Sequence, residues 1–449
     1  MSRLVVVGGD AAGMSGASQA RRLDPDLDIV VYERTTWVSY AACGIPYYVG
    51  ENVKELRQLQ ARTPEQFARN NIDVRLRHEV TAIDALAKTV TVHDLDTDTT
   101  SQEPYDLLLY ATGARPLLPE IQGLDLDGVF QVRTLDDAVA VRSAISRLPR
   151  HAVVVGGGYI GLEIAEAFHN LDIPVTVFEM AETLLPRTMD PEMGELVATQ
   201  VRELGIDVRT STRVDRIAGV GGSVTSVEAA GTTHPADIVV LGLGSVPNAE
   251  LAGAAGIAIG PTGAVAVDDH QRTSAEGVYA AGDCAEALNR ITGHPINLHL
   301  GTVANKQGRV AGTNLGGGDA SFPGVLGTAI TKVVDIEISR TGLSLAEAIA
   351  AGFDAAATGL RSSTGSHYWP KSTQMRIRTI VDRATGKLLG AQIVGGPGSG
   401  KRIDTFAVAL WTGMTGGDLE YVDLSYAPPF SGVWEPVNVA GRKAASNLG

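Results

Sequence analysis

The chain has 449 residues and carries 51 acidic against 37 basic side chains, a formal net charge of −14 that argues against nucleic acid and anionic membrane surfaces as partners. That length exceeds what one hydrophobic core holds and predicts two to four domains, while 44% hydrophobic and 20% charged residues fit a globular protein. Two cysteines leave no disulfide framework, no cleavable leader precedes the first strand and no apolar run reaches the roughly 18 residues of a membrane span, so a cytoplasmic protein is expected.

Leu4 to Val7 is a buried-strand run that enters Gly8-Gly9-Asp10-Ala11-Ala12-Gly13 and then a helix through Leu23. Asp28 to Tyr32 forms the next strand and ends in Glu33, about twenty residues past Gly13. Strand, glycine turn, helix, strand and acid in this order bind a dinucleotide: amides at the helix start hold the pyrophosphate and the acid holds a ribose hydroxyl. One position is irregular. Asp10 occupies the middle glycine of the fingerprint, where its charge repels a phosphate unless it turns away.

The segment Ser39-Tyr40-Ala41-Ala42-Cys43-Gly44-Ile45-Pro46-Tyr47 then places a lone cysteine at the mouth of a short helix, with Pro46 suited to its first turn. No CxxC or CxxxxC spacing exists, which excludes a local dithiol couple. Strands are expected at 73–76, 79–84, 89–93 and 107–110, closing on Ala111-Thr112-Gly113, and a helix from an N-capping Thr134 to Arg147.

Ala152 to Val155 leads into Gly156-Gly157-Gly158-Tyr159-Ile160-Gly161, a helix to about Asn170, and the strand Val175 to Phe178 ending in Glu179. All three glycines of the fingerprint are present, and the strand-end carboxylate favours a ribose 2′-hydroxyl over a 2′-phosphate, hence NADH over NADPH. Ile238 to Gly242 is another buried strand, leading into Gly244. Thr273 to Asp283 reads as a strand that delivers an acid at its tip, and 298–314 as a helix opened by His299. Beyond about Phe322 the pattern turns to strands at 374–381 and 388–394 with a helix from Arg402 to Gly413, an α+β region without nucleotide signals.

Together these segments resemble the flavin- and pyridine-nucleotide-dependent disulfide reductase superfamily over essentially the whole chain. Ser39-x-x-x-Cys43-x-x-Pro46-Tyr47 is similar to the segment of its single-cysteine coenzyme A disulfide and persulfide reductases. The resemblance implies an α/β fold with two Rossmann-like domains and a C-terminal α+β dimerisation domain. FAD would be bound by 1–113 with 246–321, NADH or NADPH by 114–245, and 322–449 would form the interface of a homodimer. Cofactor-binding positions implied by it are Gly8, Asp10, Ala11, Ala12, Gly13, Glu33, Arg34, Ser39, Val80, Ala111, Thr112, Gly113, Gly156, Gly158, Tyr159, Ile160, Gly161, Glu179, Gly244, Gly282, Asp283, His299 and Ala304.

By the same resemblance Cys43 lies over the flavin ring and cycles through a mixed disulfide or a sulfenic acid. Making thiolate the majority form at neutral pH takes about 2.7 kcal/mol, whereas an exposed helix N-terminus supplies about 0.3–1 kcal/mol. The dipole falls short, so an electron-poor ring beside the sulfur is needed as well. Tyr426 matches the tyrosine that replaces the usual histidine acid and would come from the partner subunit, and Tyr368, beside Trp369, is a second candidate. Gln19, Arg22 and Ser39 match polar positions of a coenzyme A channel, although Ala42 stands where many relatives place an asparagine. The substrate implied is a small disulfide or persulfide, with coenzyme A as substrate or bound thiol. Cys284 is expected to be a buried small residue, and no metal-ligand spacing is present. Two other activities share these motifs: an NADH oxidase or peroxidase in which Cys43 becomes a sulfenic acid, and a flavin-based redox sensor or electron-transfer protein.

Overall fold

A computed structural model describes residues 2–446. Two five-stranded parallel sheets of matching topology carry the first two-thirds of the chain. In the first, Arg3–Val7 lies centrally between Asp28–Glu33 and Leu107–Tyr110, with Ile72–Leu76 and Val278–Ala280 at the edges. In the second, Ala152–Val155 lies between Val175–Phe178 and Ile238–Leu241, with Asp207–Arg209 and Val129–Gln131 outside. The central strands RLVVV and AVVV are continuous apolar runs because helices or loops cover both faces of a parallel sheet. Each sheet also receives a three-stranded antiparallel insert at the same point of its order. These inserts are His78–Asp84, Thr89–Asp94 and Thr99–Pro104 in one case, and Val214–Val220, Ser223–Ala229 and Thr232–Pro235 in the other.

The chain crosses between the two sheets twice, and the crossings pair as a short antiparallel ribbon of Ala114–Pro116 with Ser245–Pro247. Asn248 clamps this hinge: its carbonyl accepts from Tyr110 Oη and Thr112 Oγ1, both at 2.8 Å, and its side-chain amide donates to Thr112 O at 2.9 Å. The third sheet is antiparallel, in the order Ala329–Val333, Ile336–Gly342, Leu388–Gly395, Gln374–Asp382, Ala355–Ser363, with helices Ile403–Thr412 and Pro436–Ser446 packed on it. Gly413 ends the first of these helices in the left-handed conformation, at φ 72°.

Two expectations need correction. The helix expected from 298 begins at Gly301, because Asn297 and His299 spend their side chains on tertiary hydrogen bonds before it. Only Val278–Ala280 of the run 273–283 is strand, and the rest is turn. The helix Gly301–Leu315 crosses Ala11–Leu23 at backbone contact: a Cβ on Gly308 would stand 2.3 Å from Ala12 O, and one on Gly312 2.2 Å from Gly16 O. That close crossing aims the N-terminus of the later helix at the region of Cys43.

Candidate functional site

The two glycine turns share their backbone geometry at the first glycine. Gly8 and Gly156 adopt φ of +106° and +108°, and a Cβ would put them 2.2 Å from Ala111 O and 2.5 Å from Gly242 O. No residue but glycine fits either place. Glu33 accepts from Gly9 N and Thr35 N, and Glu179 from Gly157 N and Ala181 N, all at 2.8 Å. Each carboxylate keeps free lone pairs for a ribose hydroxyl. The helices that follow, Ala11–Leu23 and Tyr159–Asn170, have no side-chain cap, so amides of their first turns remain available to phosphate. A Cβ on Gly158 would find nothing nearer than Gly242 O at 3.9 Å, which leaves room above that turn. The donor set and the space fit a dinucleotide at both turns.

Cys43 sits in a single 3-10 turn, Ala42–Gly44, followed by the helix Ile45–Val49 with Pro46 in its first turn. Ser39, at φ +50°, bends the loop ahead of it and donates its N–H to Gly9 O at 2.8 Å, tying the cysteine loop to the first glycine turn. The sulfur opens on a cavity of about 2040 Å³ whose wall also includes Gly156, Gly158, Glu179, His299 and Gly301. The uncapped N-terminus of Gly301–Leu315 reaches this cavity, with no atom within 4 Å of a Cβ placed on Gly301. None of Gly8 to Glu33 lines this cavity.

Without a ligand the protein does not acidify Cys43. Burial pushes the thiol up, the carboxylates of Glu163, Asp283 and Asp10 add to this, and the Arg133 guanidinium opposes it. Asp283 accepts from Arg133 Nη2 at 2.8 Å, and Gly282 N donates to Gln307 Oε1 at 2.9 Å. His299 is fixed in one tautomer. The amide of Asn297 donates to Asp283 O and Ala285 O, so its oxygen faces His299 Nε2 at 2.6 Å, leaving Nδ1 to accept from Ser245 Oγ. Burial pushes His299 down against the opposing pull of Asp283, with Arg133 adding to burial, which disfavours a positive charge on the ring.

The remaining predicted residues are placed unevenly. Asp10 turns its carboxylate away from the glycine turn and accepts from Tyr40 N at 3.2 Å. Arg34 is exposed, 3.8 Å from Glu79, Val80 is buried in the first sheet's core and Ala304 lies against Gly282. Ala12 and Gly13 are buried in the first helix, Tyr159 and Ile160 line the Cys43 cavity, and a Cβ on Gly161 would stand 2.0 Å from Gly156 O. Gln19 is buried against Thr313 Oγ1 at 3.2 Å and reaches neither cavity. Tyr426 and Tyr368 are 47% and 61% exposed and do not line the Cys43 cavity of their own chain. Their segments are nevertheless joined, by Ser366 N to Pro428 O at 2.9 Å and Ser366 Oγ to Ser431 O at 3.1 Å. Cys284 is buried, and that burial raises its thiol to about 11. Asp268, Asp269 and His270 gather ligand atoms at the surface, but both ring nitrogens are taken, by Asp269 at 2.7 Å and Asp319 at 3.0 Å.

Sequence reasoning missed three features. Arg133 is one, and Glu163, the largest charge acting on Cys43, is another. Glu163 accepts from Thr331 Oγ1 at 2.7 Å while neighbouring Lys332 pairs with Glu166, and burial pushes its carboxyl up. The third is a separate basic cavity of about 670 Å³ lined by Ser18, Arg21, Arg22, Arg62 and Arg69. None of these four arginines pairs with a carboxylate among the described residues. Of these only Arg22 is expected from the sequence, as a position matching a coenzyme A channel.

Comparison with known proteins agrees with this geometry. Residues 2–308 match the model of the pyridine nucleotide-disulphide oxidoreductase family, and residues 328–437 match that family's dimerisation domain. The chain is 41% identical to a CoA-dependent NAD(P)H sulfur oxidoreductase of Pyrococcus abyssi, covering 98% of this chain and 97% of that protein. It is 40% identical to an NAD(P)H coenzyme A polysulfide/persulfide reductase of Pyrococcus horikoshii, covering 98% of each. The solved structure of an NAD-dependent persulfide reductase from A. fulgidus superimposes with a TM-score of 0.94 at 41% identity, covering 98% of this chain and 82% of that one. Two glycine turns, a lone cysteine in the cavity beside the second of them and a third, antiparallel sheet thus have one explanation: the chain belongs to the pyridine nucleotide-disulphide oxidoreductase family.

Proposed function

We propose that this protein is a homodimeric flavoprotein that uses NAD(P)H to reduce a coenzyme A-linked disulfide, persulfide or polysulfide through Cys43. One observation carries the reading. Cys43 lines the same cavity as Gly156, Gly158 and Glu179 of the second fingerprint, so a reducing nucleotide bound there and the reacting sulfur share one chamber. Residues 1–113 with 246–321 hold FAD, 114–245 hold NAD(P)H, and 322–449 form the subunit interface. Bound FAD supplies the two-electron relay between NAD(P)H and sulfur. Cys43 Sγ, as thiolate, attacks the substrate disulfide, forming a mixed disulfide and releasing one thiolate, which takes a proton; the electron pair from NAD(P)H then cleaves that mixed disulfide, freeing the second thiol and returning Cys43 to the thiolate. Tyr426 of the partner subunit is the donor, with Tyr368 as the second candidate; both side chains are exposed on this chain.

The basic cavity favours coenzyme A over smaller thiols. Arg21 spends its guanidinium on the carbonyls of Asp24, Pro25, Leu27 and Asn71, but Arg22, Arg62 and Arg69 suit phosphate groups, and Ala61 on the rim donates its N–H to Ser39 O at 2.7 Å, joining the cavity to the Cys43 loop. On this reading Arg22, Arg62 and Arg69 hold phosphate groups of coenzyme A. Steady-state rates test the reading: NADH consumption should be fast with coenzyme A disulfide or polysulfide and lost in Cys43→Ser. Arg62→Ala with Arg69→Ala should raise KM for coenzyme A disulfide about tenfold or more and leave cystine turnover unchanged, as expected for losing charge-assisted hydrogen bonds worth about 1.5–3 kcal/mol each. Fast turnover with oxygen or peroxide alone would replace this reading with the oxidase one.

A further inference from the structure

The two glycine turns differ at one position, and that difference has a chemical consequence. Where the second turn has Gly158, with open space above it, the first has Asp10. Asp10 is the N-cap of Ala11–Leu23 yet makes no side-chain cap, because its Oδ1 accepts from Tyr40 N at 3.2 Å. The carboxyl therefore sits at the edge of the first turn and faces the cysteine loop.

We propose that Asp10 takes up one proton when the FAD diphosphate settles on this turn, so that flavin affinity falls as pH rises. The inference rests on placing FAD at the first turn. The neighbouring charges act on the carboxyl in opposite directions. Glu33, at the end of the adjacent strand, disfavours the anion. Arg133, the nearby cation, is engaged by Asp283 at 2.8 Å. The Tyr40 ring, with Asp137 behind it, and Cys43 complete the surroundings. Burial, with help from Glu33, holds Asp10 at about 6, while the Tyr40 amide and Arg133 keep it from rising further. A diphosphate brings more negative charge onto the first turn and drives the carboxyl to its neutral form. Neutral Asp10 still accepts from Tyr40 N through its carbonyl oxygen and no longer repels the diphosphate. The proton comes from solvent and no electron moves.

Free flavin, measured by fluorescence after ultrafiltration of dilute holoenzyme, reads this directly. Between about pH 6.5 and 8.5 the wild-type dissociation constant should rise by about tenfold per pH unit, the slope of one proton bound with FAD. Asp10→Asn should abolish the slope and bind FAD more tightly at the alkaline end, and Asp10→Gly, which restores the residue of the second turn, should also be flat. Glu33→Ala should weaken FAD at every pH while keeping the slope. A wild-type constant independent of pH, or a slope that survives in both Asp10 variants, overturns the inference alone. Flavin affinity untouched by Glu33→Ala overturns the placement of FAD on which it rests.

Discussion

The thiol of Cys43 stands among the carboxylates of Glu163, Asp283 and Asp10 and one guanidinium, Arg133, and burial acts in the same direction as the carboxylates. Its acidity is thus set by charges from four separate segments, and the short helix behind it contributes too little to reverse them. In flavin-free protein, the rate of alkylation by iodoacetamide should reach half its maximum above the usual thiol range, because a raised pKa delays the thiolate to higher pH. Glu163→Gln should move that midpoint down and Arg133→Met should move it up. A midpoint unmoved by either change would show that these charges do not reach the sulfur.

Each helix that follows a glycine turn is built for close approach to it, and this dictates what the element tolerates. A Cβ on Gly161 would stand 2.0 Å from Gly156 O, a backbone atom that cannot give way without opening the turn. Gly161→Ala should therefore raise KM for NADH about tenfold or more, a loss of roughly 1.4 kcal/mol or greater, while flavin content stays at the wild-type level. Loss of both NADH binding and flavin would mean that the two turns fold as one unit. The crossing of Ala11–Leu23 with Gly301–Leu315 follows the same logic, since Gly308 and Gly312 let a helix N-terminus arrive at the cavity from the opposite side.

At the scale of the whole molecule, a buried charge pair locks the second sheet's helix layer onto the third sheet. Asp190, 2% exposed and N-cap of Pro191–Glu203, accepts from Arg378 Nε at 2.5 Å and from Leu345 N at 3.0 Å, and its own N–H donates to Gln392 Oε1 at 2.9 Å. Removing one partner strands the other charge away from water. Arg378→Ala should cost about 3–5 kcal/mol in the first urea transition, and Asp190→Asn with Arg378→Met should recover much of it. An unchanged midpoint in the single variant would show that the two layers unfold independently. The third sheet also carries the exposed Tyr426, Phe430, Val433 and Trp434 near its surface, a patch of the kind that a subunit interface covers.

Both glycine turns, the acids Glu33 and Glu179 and the helix start at Cys43 were legible because each is written within about thirty residues of chain, where strand period, glycine spacing and strand-end acid follow from backbone sterics alone. The capped start of Leu135–Ile145 was legible for the same reason: Thr134 accepts from Asp137 N, three residues on. The region 191–235 gave no such signal, and its helix and antiparallel insert declare themselves only in three dimensions. Tertiary structure alone decided what surrounds the sulfur. Arg133 and Asp283 meet across 150 residues, Glu163 and Thr331 across 168, and the four arginines of the basic cavity converge from the first helix and from a loop some forty residues later. Local spacing fixes where a backbone turns, but the field at a reacting atom sums over everything folded around it, and no window along the chain contains that sum.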